Sequence, residues 1–218
     1  MIDRPSSVIY AAVYTAVDKA ENEPKIVTIT NAHAPSAMAQ TCAEIGIPFI
    51  HISTDYVFSG HGQTPWKPTD ITIPQNTYGL SKLEGEKAII ASGANYAIIR
   101  TSWIFSAHGV NFVKSFEKTK KLSIISDQVG GPTTAHDIVA TCLSIASQLE
   151  KDPRKSGIYH FSGKLFVSWH DFATSIFKYL EYKIQLKATL TKNYQTAAKR
   201  PLNSRIDCSQ IRKVFGIS

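Results

Sequence analysis

Apolar residues gather along this chain in short runs separated by longer amphipathic stretches, and the two patterns predict strands and helices in alternation. Val8, Ile9 and Tyr10 lie in a run over residues 7–12 that ends in small side chains, which suits a buried strand feeding a loop. Residues 34–45, with Pro35 in the first turn and Gly46 just beyond, form a predicted helix, and 48–52 a second strand. The loop over 59–75 carries three prolines and two glycines. Helix formers at Leu80, Leu83, Glu84, Glu86, Lys87 and Ala88 predict a helix over 77–92. Further strands are expected at 96–100, 122–126 and 157–161, helices at 110–121, 135–149 and 169–182, and a polar stretch before Arg200-Pro201. This order implies a mostly parallel α/β sheet with its ligand beyond the carboxyl ends of the strands.

Composition narrows the class. The 218 residues are 43% hydrophobic and 19% charged, enough to bury one full core. No stretch approaches the roughly 20 apolar residues that span a bilayer, and Met1-Ile2-Asp3-Arg4-Pro5 lacks the apolar core of a signal peptide, so a cytoplasmic protein is expected. Cys42, Cys142 and Cys208 are odd in number and far apart, which argues against a disulfide framework or a zinc site. His51, His61, His108, His136, His160 and His170 share no ligand spacing and are expected to be structural or exposed. The net charge of +7, from 24 Lys and Arg against 17 Asp and Glu, suits an anionic ligand such as a nucleotide diphosphate, or simply a solvated basic surface. Lys114, Lys118, Lys120 and Lys121 are interrupted by Glu117 and by Phe112 and Phe116 at helical spacing, the mark of an amphipathic helix rather than a nucleic-acid stripe.

The chemistry centres on Tyr78-Gly79-Leu80-Ser81-Lys82. A Tyr and a Lys four apart near the start of a helix project from one face, about one turn from each other. A phenol ionises near 10, and lowering it to about 7 takes about 4 kcal/mol, which a nearby ammonium, a second hydroxyl and a cationic nicotinamide supply together. Ser53 and Thr54 fall at the carboxyl end of a strand, where a hydroxyl reaches both a substrate carbonyl and the phenol. Arg100-Thr101-Ser102-Trp103 ends the next strand in the same crevice.

Six blocks carry a specific resemblance: Thr15-Ala16-Val17-Asp18-Lys19-Ala20-Glu21, Ser53-Thr54-Asp55-Tyr56-Val57-Phe58, Tyr78-Gly79-x-x-Lys82-x-x-Gly85-Glu86, Arg100-Thr101-Ser102-Trp103, Asp127-Gln128-x-Gly130-x-Pro132-Thr133 and Arg200-Pro201-x-Asn203-Ser204. In this order they resemble the dTDP-4-dehydrorhamnose reductases, which are extended short-chain dehydrogenases/reductases. The resemblance implies a partial Rossmann-like, doubly wound parallel sheet over residues 1–150 and a small C-terminal substrate-binding lobe over 151–218. It implies hydride transfer from NADPH or NADH to the C4 ketone of dTDP-4-dehydro-L-rhamnose, giving dTDP-L-rhamnose. Tyr78 would donate the proton, Lys82 would bind the nicotinamide ribose and lower the phenol's pKa, and Thr54 would hydrogen-bond the carbonyl or tune Tyr78. Asp55 and Trp103 would contact the sugar nucleotide, although Asp55 as a turn cap and Trp103 as a core residue remain open. Val13, Tyr14 and Thr15 match the family's cofactor-contacting loop, with its usual alanines altered to Tyr10-Ala11-Ala12-Val13-Tyr14. Arg200 meets the nucleotide phosphates or is an ordinary surface arginine. Mg2+ belongs to the family, but no site for it is identifiable in this sequence.

A doubly wound dinucleotide sheet opens with a strand, a glycine-rich turn and a helix that hold the pyrophosphate. Neither Gly60-His61-Gly62 nor Gly130-Gly131-Pro132 offers that turn. The expectation is therefore that the isolated chain binds NADPH weakly or not at all, as a fragment or a degenerate gene product; the alternative to a reductase is a non-catalytic regulatory subunit on the same scaffold, like the β subunit of methionine adenosyltransferase. Expected partners are a small-molecule nucleotide sugar and at most a second copy of the chain, with no nucleic acid and no membrane.

Overall fold

Side chains alternate across a strand, so Phe49, His51 and Ser53 share one face and Ile50 and Ile52 the other. All but Ile52 are buried, which requires cover on both faces. The structure, a computed structural model, describes residues 5–109, 111–113, 121–180 and 185–218. Its first half runs β1 (Val8–Tyr10), α1 (Val17–Ala20), α2 (Pro24–Thr28), a π-helical turn (Ile29–His33), α3 (Ala34–Ile45), β2 (Phe49–Thr54), α4 (Thr77–Ala91), β3 (Tyr96–Thr101) and β4 (Ile104–Phe105). There follow β5 (Lys121–Ile125), β6 (Val129–Gly130), β7 (Thr133–Thr134), α5 (Ala135–Lys151), β8 (Gly157–His160), β9 (Val167–Ser168), α6 (Trp169–Tyr179), β10 (Gln185–Thr189), β11 (Asn203–Ser204) and α7 (Ser209–Phe215).

The main sheet has the order β1-β2-β3-β8 with every pairing parallel. Phe49 and Ile98 pack with Ala39 and Cys42 of α3 and Ile89 of α4 on one face. Ile50, Ala97 and Ile99 pack with Ile138, Ile145 and Leu149 of α5 and Phe215 of α7 on the other. The doubly wound parallel arrangement expected from the sequence is thus present. Among the described residues no helix is long and apolar enough to cross a membrane.

Several expectations shift. The strand expected at 122–126 forms as β5, but it pairs with β10 outside the main sheet. β10 lies in the stretch that the sequence marks only as polar, because α6 covers a single face of this pair through Ala173 and Phe177 against Ile124 and Leu186. β6 pairs with β11 and β9, and β4 with β7. The sheets cross the division expected near residue 150: β8 joins the main sheet, while β5 to β7 belong to the smaller ones. The helix expected at 110–121 falls mostly outside the described residues, together with Lys114, Lys118 and Lys120, as does the end of the helix expected at 169–182.

The helix expected at 34–45 has those bounds but continues from α2 through the π turn. Pro35 has no N–H to give the Asn31 carbonyl, and the wide turn accommodates that gap. The Asn31 carbonyl lies against Gly85 of α4, where a Cβ would stand 2.2 Å from the oxygen. Gly85→Ala is therefore expected to destabilise the fold by about 1–3 kcal/mol despite alanine's better helix propensity, read as a lower urea midpoint at unchanged slope.

Candidate active site

α4 brings the expected pair to the sheet. Asn76 caps its start by accepting from the Gly79 N–H at 2.7 Å, and Thr77 N–H donates to Glu21 Oε1 at 2.9 Å. The Asn76 amide also donates to the Lys199 carbonyl at 2.8 Å, so the C-terminal segment helps to hold the first turn of α4. Gly79 is required by close approach, since a Cβ there would meet the Tyr56 carbonyl at 2.3 Å.

Tyr78 lies edge-on to Tyr56, ring centroids 5.6 Å apart. Its phenol is pushed up to about 12 by burial, with the Thr54 hydroxyl pulling it down and Asp55 adding to the rise. The sequence expectation had Lys82 lowering this phenol. In the structure the Lys82 ammonium is fully buried and turned to the sheet, bonding His51 Nε2 at 2.9 Å and the Ile52 carbonyl at 2.7 Å. Burial, opposed by Glu86, brings the Lys82 pKa down to about 7. His51, one of the histidines expected to be mostly structural or exposed, is buried and is the direct partner of Lys82.

Thr54 ends β2 as expected, buried, accepting from the Tyr56 N–H at 3.2 Å and donating to Asp55 Oδ1 at 3.3 Å. Asp55 is also buried, and its Oδ2 has no hydrogen-bond partner among the described residues. Burial pushes its carboxyl up to about 7, against the opposing pull of Ser204, its own backbone and Thr54.

Trp103 is the one non-glycine residue among those described with a positive φ, at 50°. It leaves β3 toward the smaller sheets and stacks on Trp169 at 3.6 Å between centroids. Gly130 lies beneath the indole, where a Cβ would stand 2.6 Å from Trp103 Cε2. Of the loop expected to meet the cofactor, Val13 and Thr15 are exposed. Tyr14 is pinned through its backbone to the Asn31 side chain, which also reaches Ser81 of α4 at 3.0 Å. The loop after β1 is thereby tied to α4.

Beside these groups opens a cavity of about 650 Å³ lined by Asp18, Tyr56, Gln128, Trp169, Tyr194 and Arg200 among others. Arg200 is half-buried and paired with Asp18 at 2.7 Å, which holds the Asp18 carboxyl down at about 2. Tyr56, Gln128, Trp169 and Tyr194 were not singled out in the sequence. The first two lie inside motifs already recognised, whereas Trp169 and Tyr194 carry no local signal. Among the described residues no group of three or more His, Cys, Asp or Glu could hold a metal ion.

A hydroxyl at a strand end, facing a Tyr-x-x-x-Lys helix across a parallel sheet, is the arrangement of the short-chain dehydrogenases/reductases. Comparison with known proteins narrows this class. Residues 2–218 match the family model described as RmlD substrate binding domain. A dTDP-4-dehydrorhamnose reductase from Sinorhizobium fredii is 39% identical over 98% of this chain and 75% of its own length. One from Aggregatibacter actinomycetemcomitans is 40% identical over 98% and 76%. The crystal structure of dTDP-4-dehydrorhamnose reductase from Bacillus anthracis in complex with NADP superposes with a TM-score of 0.89 at 32% identity, covering 96% of this chain and 74% of that one. The chain belongs to the dTDP-4-dehydrorhamnose reductase family, and it spans about three quarters of the length of these relatives.

The raised Asp55 carboxyl has a measurable consequence for stability. The unfolded side chain ionises near 3.8 and the folded one near 7, so between those values the unfolded state holds fewer protons and stability falls as pH rises. Over that window the loss is on the order of 4 kcal/mol. Asp55→Asn is expected to remove this contribution, read as the difference between the two proteins in how urea stability changes from pH 4.5 to pH 7, because the buried His51 and His160 act in the opposite sense in both.

Proposed function

We propose that this chain reduces the C4 ketone of dTDP-4-dehydro-L-rhamnose to dTDP-L-rhamnose with NADPH. The observation that carries the reading is the meeting of Tyr78 and Thr54 at the carboxyl ends of the sheet, with Lys82 directly behind them and the aromatic cavity beside them.

A phenol held near 12 stays protonated at neutral pH, so Tyr78 arrives at the ketone as an acid with its proton in place. Its proton passes to the C4 oxygen as negative charge develops there, and the Thr54 hydroxyl shares that oxygen or the phenolate left behind. Lys82 spends two of its three N–H groups on His51 and Ile52, leaving the third for a ribose hydroxyl of the dinucleotide. The bound dinucleotide supplies the hydride.

The cavity suits the rest of the substrate. Tyr56, Trp169 and Tyr194 offer aromatic surface to the base and sugar, while Arg200 and the net charge of +7 favour a diphosphate. Val13 and Thr15, exposed on the loop after β1, would meet the dinucleotide, and Asp55 and Trp103 the hexose. The NADP of the Bacillus anthracis relative favours the phosphorylated cofactor.

The test is NADPH oxidation by the purified chain with dTDP-4-dehydro-L-rhamnose, the product being identified as dTDP-L-rhamnose by mass spectrometry. Tyr78→Phe is expected to lower kcat by about 10²–10⁴-fold with little change in NADPH affinity, followed by quenching of protein fluorescence. Substrate binding without any turnover would overturn the reading in favour of a non-catalytic scaffold.

A further inference from the structure

His51 is buried at the centre of β2 and faces α4. An ammonium only donates, so while Lys82 carries its charge the His51 Nε2 at 2.9 Å is the acceptor and the ring proton lies on Nδ1. Nδ1 has no hydrogen-bond partner among the described residues. The ring is held by stacking instead, on Tyr10 at 5.8 Å and Phe49 at 6.4 Å between centroids. The other deeply buried histidine, His160, makes a different use of its ring: its Nδ1 meets the Trp66 backbone carbonyl, and no catalytic side chain is involved.

The charged surroundings of the Lys82 and His51 pair are few. Glu86, one turn along α4, faces Lys82 and is itself bonded by Arg100 of β3 and Ser53 of β2. Tyr78 lies one turn the other way on α4. From β1 comes Tyr10, whose hydroxyl donates to the Thr30 carbonyl.

Building on the reductase reading, we propose that His51 is a positioning residue for the reaction, a neutral acceptor that fixes two N–H groups of Lys82 jointly with the Ile52 carbonyl and leaves the third for the dinucleotide ribose. The electrostatics agree. Burial, and then the charge of Lys82, keep His51 well below its ordinary pKa, so it remains an acceptor at neutral pH. Lys82 is already brought down to about 7, so loss of an acceptor that favours its charged form would leave it uncharged at the working pH.

Two substitutions and one spectrum test this. His51→Leu fills the slot without an acceptor, and His51→Gln keeps an acceptor near the Nε2 position. His51→Leu is expected to lower kcat at pH 7 about tenfold, to raise KM for NADPH, and to move the alkaline fall of kcat about one pH unit lower, whereas His51→Gln keeps the native pH profile. A native profile and KM in His51→Leu, or a leucine-like profile in His51→Gln, overturns the proposal. Should His51→Leu fail to fold, the 15N shifts of the His51 ring in the unsubstituted chain decide: a bare Nε2 and protonated Nδ1 from pH 6 to 8 support it, and the opposite tautomer or an imidazolium refutes it. The spectrum needs no turnover, so absent reductase activity would count against the proposed reaction and leave His51 to be judged separately.

Discussion

Glu86 stands between two buried cations, and the active-site half of the fold is arranged around it. On one side Arg100 reaches it through Nη2 at 2.6 Å and Nε at 3.0 Å, with both side chains almost wholly inaccessible. On the other side its charge opposes the effect of burial on Lys82, one turn away on the same helix. Ser53 gives it a further hydrogen bond, Arg100 donates onward to the Pro68 carbonyl at 3.2 Å, and the Phe58 ring underlies the guanidinium at 5.0 Å. Stripping one partner from a buried pair costs about 3–5 kcal/mol, because the remaining charge has no water to turn to. A single carboxylate thus fastens α4 to β2 and β3 and keeps an otherwise prohibitive lysine inside the protein.

That fastening sets the level at which Tyr78 emerges. Lys82 and Tyr78 follow Glu86 backward along the helix at four-residue steps, so the contact with Arg100 fixes where the phenol meets Thr54. The chain then closes the site from a distance. Asn76 ties the start of α4 to the Lys199 carbonyl, Asp18 holds both Arg200 and the Ala198 N–H, and Trp103 bridges from the main sheet to Trp169 on α6. These contacts tie α1, α4 and the end of β3 to the segment before β11 and to α6, which explains how residues far apart in sequence form one wall of the cavity.

The asymmetry of acid strength at this site follows from the same enclosure. Asp55 and Tyr78 are both driven toward their neutral forms by burial, with no cation in direct contact among the described residues. Asp18, half-exposed and bonded to Arg200, moves the opposite way. Two carboxylates that both act on Tyr56 therefore differ by their partners and not by their chemistry, with Asp55 poised near neutrality and Asp18 ionised throughout the ordinary pH range.

The sequence by itself determined the elements of the main sheet and the identity of the chemistry. The runs at Val8, Phe49, Tyr96 and Gly157 are short, apolar and bounded by turn residues, and they became β1, β2, β3 and β8 because buried parallel strands need no other signal. Tyr78, Lys82 and Thr54 were legible from their spacing and from the motifs around them. Tertiary structure alone decided what those residues touch. The buried face of α4 mixes Ser81, Lys82 and Glu86 with Leu83 and Ile89, so hydrophobic periodicity could not orient it or pair Lys82 with His51. β10 stayed hidden because a two-stranded ribbon covered on one face needs few apolar residues. The direction of the Tyr78 shift was hidden for a related reason: spacing places an ammonium one turn from a phenol, but only the fold decides whether it turns toward that phenol or toward the carbonyl of the strand beneath.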